Sequence, residues 1–136
     1  MLAQRIASIN LCADQLLLEL ADPARIAGVS TLAGDPALSF LASKAAPYRK
    51  LRGNAEQLFR LKADLVLTGS FDRPYARSIL QRRGVKYKAV EPWTNIAQGR
   101  QQISTFAAQL GVPEKGAELI RRIDAALEKL RASAKS

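Results

Sequence analysis

The sequence predicts an α/β fold: a three-layer lobe built on a mainly parallel sheet of about four strands, followed by one long helix. Three observations carry this prediction. Short apolar runs such as Leu65-Val66-Leu67 lack polar alternation, as strands covered on both faces do. These runs alternate with longer amphipathic stretches, which implies right-handed crossovers and parallel neighbours between helical layers. The C-terminal segment places Leu119, Ile120, Ile123, Leu127 and Leu130 in a stripe at helical spacing.

The elements follow in order. Strands are expected at Ile6–Ile9, Ile26–Ser30, Asp64–Thr68 and Tyr87–Glu91. Helices are expected at Ala13–Ala21, Pro36–Lys44, Ala55–Lys62, Pro74–Arg83, Asn95–Leu110 and Pro113–Ala132. Gly53 provides a turn and Asn54 a cap for the helix at Ala55, with Glu56 in the first turn, where an acid suits the positive end of the helix dipole. Leu58, Phe59 and Leu61 give that helix its apolar side. Pro113 fits the first position of the last helix, where its missing N–H costs nothing, and Glu114 follows it. The whole is a Rossmann-like arrangement with a long terminal helix.

Composition bounds the function. The 136 residues make one ordinary domain; 48% are hydrophobic and 24% charged, as in a globular protein with a real core. No apolar run is long enough to span a bilayer, and no signal peptide is recognisable before Arg5. The expectation is a mature piece with an added Met, or else a cytoplasmic protein. Cys12 has no intramolecular partner, so it is expected to be a small buried thiol. Histidine is absent, which removes the commonest metal ligand and general base. There is no Ser–Lys or paired-carboxylate spacing, dinucleotide fingerprint or phosphate loop, so an enzyme is not expected, nor a cofactor or a bound metal.

The net charge of +9 and pI of 10.2 raise the question of nucleic acid. The basic residues cluster at 44–62 and 73–88, with no ribonucleoprotein aromatics or zinc-finger spacing beside them. Solvated basic surface is the preferred reading, with anion attraction next and nucleic acid last.

Ligands of parallel α/β sheets collect at the carboxyl ends of the strands. Four loops qualify: Asn10–Cys12, Thr31–Asp35, Gly69–Arg73 and Pro92–Asn95. They make Asn10, Thr31, Gly69, Ser70, Phe71, Arg73 and Trp93 candidate ligand-binding residues. Phe71 and Trp93 offer flat faces for a macrocycle or catecholate, or anchor their own loops. Arg52 and Arg73 offer guanidinium forks to a carboxylate or hydroxamate, or are plain surface charges.

The segment Asn54-Ala55-Glu56-Gln57-Leu58-Phe59-Arg60-Leu61-Lys62-Ala63-Asp64-Leu65-Val66 resembles a stretch of the cluster-A, helical-backbone substrate-binding proteins of ABC importers. Arg5–Leu18 is similar to that family's first strand and helix, and Asp22–Ser30 to its second strand and the turn before it. The resemblance covers nearly the whole chain but only one of the family's two lobes. It implies an N-terminal lobe at 1–111 and a linking helix at 112–136, with the second lobe absent. It further implies a periplasmic, non-enzymatic binder of a ferric siderophore, haem or corrinoid that delivers its ligand to a membrane permease. Glu56 then corresponds to the acid that docks into permease arginines. Tyr48 lies near the axial tyrosine of haem-binding relatives, but its spacing departs from theirs. An isolated lobe would expose its cleft face and could dimerise through it. The alternative is a basic cytoplasmic α/β domain that regulates or binds nucleic acid.

Overall fold

The computed structural model describes residues 3–52, 55–69, 78 and 80–134. The described residues divide into two compact units, Ala3–Pro92 and the segment from Trp93 onward.

The first unit holds a five-stranded parallel sheet in the order β3-β2-β1-β4-β5. Its strands are β1 (Ile6–Ser8), β2 (Ile26–Ser30), β3 (Lys50–Leu51), β4 (Leu65–Gly69) and β5 (Tyr87–Val90). The connecting helices are α1 (Leu11–Leu20), α2 (Ala42–Ala45) and α3 (Ala55–Arg60), with helical residues again at 80–82. The predicted class holds, with one strand more than the expected four. The extra strand, β3, is two residues long, and its apolar content is Leu51 alone. It exists because β2 pairs with it, Val29 facing Lys50 and Ser30 facing Leu51.

Side-chain alternation along the strands sends apolar groups to both faces. Ala7, Leu51 and Val66 pack on one side with Leu58 of α3 and Leu80. Val29 packs on the other with Leu18 of α1, Ala33 and Ala45 of α2. Helices therefore cover both faces, as the unbroken apolar runs require. At the start of the sheet Asp64 clamps two strands: its carboxylate accepts from the Gln4 and Arg5 amides at 2.8 and 2.9 Å, and its own amide donates to the Arg5 carbonyl. The aspartate before Leu65-Val66 thus registers β4 against β1. α3 stops at Arg60, and Lys62 takes up a left-handed conformation (φ 55) that turns the chain into β4.

Two local expectations need correction. The helix expected at Pro36–Lys44 is a series of turns ending in the four-residue α2. Asp35 is responsible: its carboxylate accepts from the Ala37 amide and its carbonyl from the Leu38 and Ser39 amides, while Gln15 of α1 takes the Leu41 amide. Such local bonds compete with a helix. Cys12 is exposed rather than buried: α1 begins at Leu11, and its first turn turns Ala13 and Asp14 inward and Cys12 outward. The loop expected at Thr31–Asp35 takes the form of a short 3-10 turn, Thr31–Gly34. Gly53 and Asn54, and half of the helix expected at Pro74–Arg83, lie outside the described residues.

The second unit is a pair of helices, α4 (Ile96–Gln109) and α5 (Pro113–Ala134). Asn95 caps α4 by accepting from the Gln98 amide at 2.8 Å. Positive-φ Gly111 makes the turn between the helices. Gly116 is the one buried residue of α5, and a Cβ there would lie 2.5 Å from that of Ala107, so the helices meet at a glycine. Arg100 forks onto Asp124 at 2.7 and 2.9 Å, further along the same pair. The predicted apolar stripe is only half-covered: Leu119, Ile120, Ile123 and Leu127 are partly buried and Leu130 is 65% exposed.

Trp93 is seated on α4. Its indole N–H donates to Gln102 at 2.7 Å, and a Cβ at Gly99 would come within 2.6 Å of the ring. Gly→Ala inside a helix ordinarily gains about 1 kcal/mol. Here overpacking, at about 1–3 kcal/mol, should win. Gly99→Ala is therefore expected to lower stability by about 1 kcal/mol and to red-shift the emission of the chain's single tryptophan. Higher stability with unchanged emission would mean that Trp93 does not rest there.

Candidate functional site

Register brings the carboxyl ends of the central strands level. Ser8 faces Leu67 and Ala7 faces Gly28. Asn10 and Thr31 follow the carboxyl ends of β1 and β2, and Gly69 ends β4. β2, β1 and β4 are sheet neighbours, so Asn10, Thr31 and Gly69 form one rim, with steps of about 4.8 Å between strands.

Each rim residue has a local reason for its place. Asn10 is half-buried and caps α1, its side-chain oxygen accepting from the Ala13 amide at 3.1 Å. Thr31 is exposed and opens the 3-10 turn. Gly69 closes β4 and is buried. Just beneath it the Thr68 hydroxyl is fully buried, with no hydrogen-bond partner among the described residues. Ser70, Phe71 and Arg73, the other candidates on this loop, lie outside the described residues. Trp93 belongs to the second unit, where it remains 42% exposed while resting on Gly99.

A buried polar cluster supports the rim from below. Asp14 of α1 is completely buried and accepts from both the amide and the hydroxyl of Ser30, the last residue of β2. Burial raises the Asp14 pKa above the ordinary aspartate value; the Ser30 bonds, Ser8 and the charge of Lys50 pull it back only in part. The carboxylate ties α1 to the end of β2 and so fixes where Thr31 begins. Nothing in the local sequence marked Asp14 for this role, because its partner stands sixteen residues away.

Sequence reasoning also passed over the chain between β2 and α2, where Leu32, Leu38 and Phe40 are exposed, Phe40 by 93%. The signal was present: large apolar residues among Gly34, Asp35 and Pro36, which favour turns. Reading 36–44 as a helix gave Leu38 and Phe40 an inner face they do not have. Tyr48, by contrast, packs against the buried cluster of Leu18, Val29, Ala33 and Ala45, with its carbonyl held by Lys50 Nζ at 2.7 Å.

Arg52 and Glu56 meet at the β3 edge of the sheet, where Arg52 follows Leu51 as Thr31 follows its partner Ser30. Both line an open depression of about 420 Å³ with Arg49, Lys50, Gln57 and Arg60, at the outer edge of the sheet beside β3. Glu56 pairs with Arg60 one helical turn on, at 2.7 Å, and both side chains are about three-quarters exposed, at 75% and 76%. The Arg52 amide donates to the Gln57 side chain at 3.0 Å. β3 and β4 are three strand spacings apart, about 14 Å, so this depression is distinct from the end of β4. Among the described residues no group of His, Cys, Asp and Glu side chains could hold a metal ion. Among the described residues no helix is long and apolar enough to cross a membrane.

Similarities to known proteins run along the same lines. Residues 6–136 match the periplasmic binding protein family. The fold is similar to that of a possible iron-binding (periplasmic solute-binding) protein from Staphylococcus epidermidis, with 20% identity and a TM-score of 0.82, covering 98% of this chain and 52% of that one. It is similar to a periplasmic haem-binding protein from Pseudomonas aeruginosa, with 18% identity, a TM-score of 0.76 and coverage of 94% and 46%. It is also similar to a periplasmic vitamin B12 binding protein from Vibrio cholerae, with 19% identity, a TM-score of 0.70 and coverage of 98% and 52%. The chain thus spans about half the length of these solved proteins. No curated protein matches significantly. A match that runs from β1 through the last helix places this chain in a family, and the chain belongs to the periplasmic binding proteins.

Proposed function

We propose that the chain is the N-terminal lobe of an importer's solute-binding protein, acting outside the cytoplasm. It captures an iron complex (a siderophore or haem) or a corrinoid and passes it to a membrane permease. Residues 1–111 form the lobe and 112–136 the helix leading toward a second lobe. The protein binds and carries; it performs no chemistry on the solute. The observation that supports this best is the rim, where Asn10, Thr31 and Gly69 come level at the ends of three adjacent strands. Exposed Leu32, Leu38 and Phe40 follow in the chain directly after it, apolar surface of the kind a macrocycle can cover.

Titration of the two-lobed protein with haemin, a ferric hydroxamate and cyanocobalamin tests this reading. One of the three should bind with a one-to-one end point. The net charge of +9 leaves one rival reading, a nucleic-acid-binding domain. Failure of all three solutes, together with tight DNA binding that falls steeply with salt, would replace the importer reading with that one.

A further inference from the structure

The face that carries Glu56 is basic. Four cations, Arg49, Lys50, Arg52 and Arg60, surround one acid in the depression beside β3. Two of them are already engaged. Arg60 neutralises Glu56, and Lys50 turns its ammonium inward to the Ala45 and Tyr48 carbonyls at 2.6 and 2.7 Å. Arg49 and Arg52 remain, both exposed, and neither guanidinium has a hydrogen-bond partner among the described residues. A partner that offered only arginines to Glu56 would have to break the Arg60 pair and face these two guanidinia as well. Like charges brought together in that way cost association energy, so the complementary surface must contain acid.

We propose that this depression is a docking surface for an acidic protein, and that the permease presents carboxylates to Arg49 and Arg52. This rests on the importer reading above and names the chemistry of the partner's face. Guanidinium forks match carboxylates in a bidentate, planar geometry. The concavity favours protruding side chains over a flat anionic bilayer, which could not enter it. Arg52, beside Thr31 at the end of β3, thereby serves the docking surface where it borders the rim, and Glu56 is the centre of a mixed-charge contact.

The test measures binding of a short oligoglutamate peptide to the 136-residue chain, beside binding of phosphatidylcholine vesicles containing phosphatidylglycerol. The Arg49→Gln/Arg52→Gln pair should weaken peptide binding about ten-fold at low salt. Lys115→Gln/Lys129→Gln, on α5, removes the same charge and should change it less than about two-fold. Neither pair removes a side-chain hydrogen bond among the described residues, and circular dichroism checks that both remain folded. Equal losses from the two pairs would reduce the effect to net charge and overturn the proposal. So would vesicle binding that depends on Arg49 and Arg52 without peptide binding. The assay contains no solute, so its failure and the failure of the solute titration are separate results.

Discussion

Asp14→Ala should cost about 3 kcal/mol of folding stability, since it strands both the amide and the hydroxyl of Ser30 in the interior. Asp14→Asn keeps the volume and one acceptor and should cost about 1 kcal/mol. The pH dependence carries an opposite sign from that of most carboxylates. The folded state holds the Asp14 proton more tightly than the unfolded chain does, so it binds more protons between the two pKa values. The contribution is therefore fully present below the unfolded value and is lost as pH rises through the folded one. Urea unfolding from acid to neutral pH should show the wild type losing stability relative to Asp14→Asn as pH increases. A constant difference between the two across that range would mean that burial does not govern this carboxyl.

The second large effect concerns transport. Glu56→Ala in the two-lobed protein, with the equivalent acid of the second lobe also removed, should cut uptake about ten-fold while leaving solute affinity unchanged. The stability loss should stay below about 1 kcal/mol, because the acid contributes only to the helix dipole and to an exposed pair with Arg60. High ionic strength should shrink the difference between variant and wild type, since it already screens such a contact. Normal uptake by the doubly altered protein would remove the docking role. A fall in solute affinity would instead place Glu56 in the binding cleft.

What the sequence disclosed follows from where the physics is local. Leu65-Val66-Leu67 could be read as a doubly covered strand because burial on both faces leaves its mark in consecutive residues. Pro113 and the stripe behind it marked the last helix for the same reason. β3 left no such mark, since two residues have no period and their pairing is supplied by β2. The turns at 36–41 misled because Asp35 and Pro36 also suit the start of a helix, and Gln15 of another element decides against it. The loops of the rim were legible from strand order, but their levelling depends on register, which no single loop contains. The joint placement of Arg52 and Glu56 was hidden for a similar reason. One had been read as touching solute and the other a partner, and only the fold puts them in one depression.

Separating those two roles is the most direct test of the account. Solute affinity of the two-lobed protein should fall at least about ten-fold in Thr31→Trp, which adds bulk to an exposed rim position. Arg52→Gln, on the depression outside β3, should leave that affinity within about two-fold. If Arg52→Gln carries the loss and Thr31→Trp does not, the solute sits against the depression, and the assignment of rim to ligand and edge to partner is reversed.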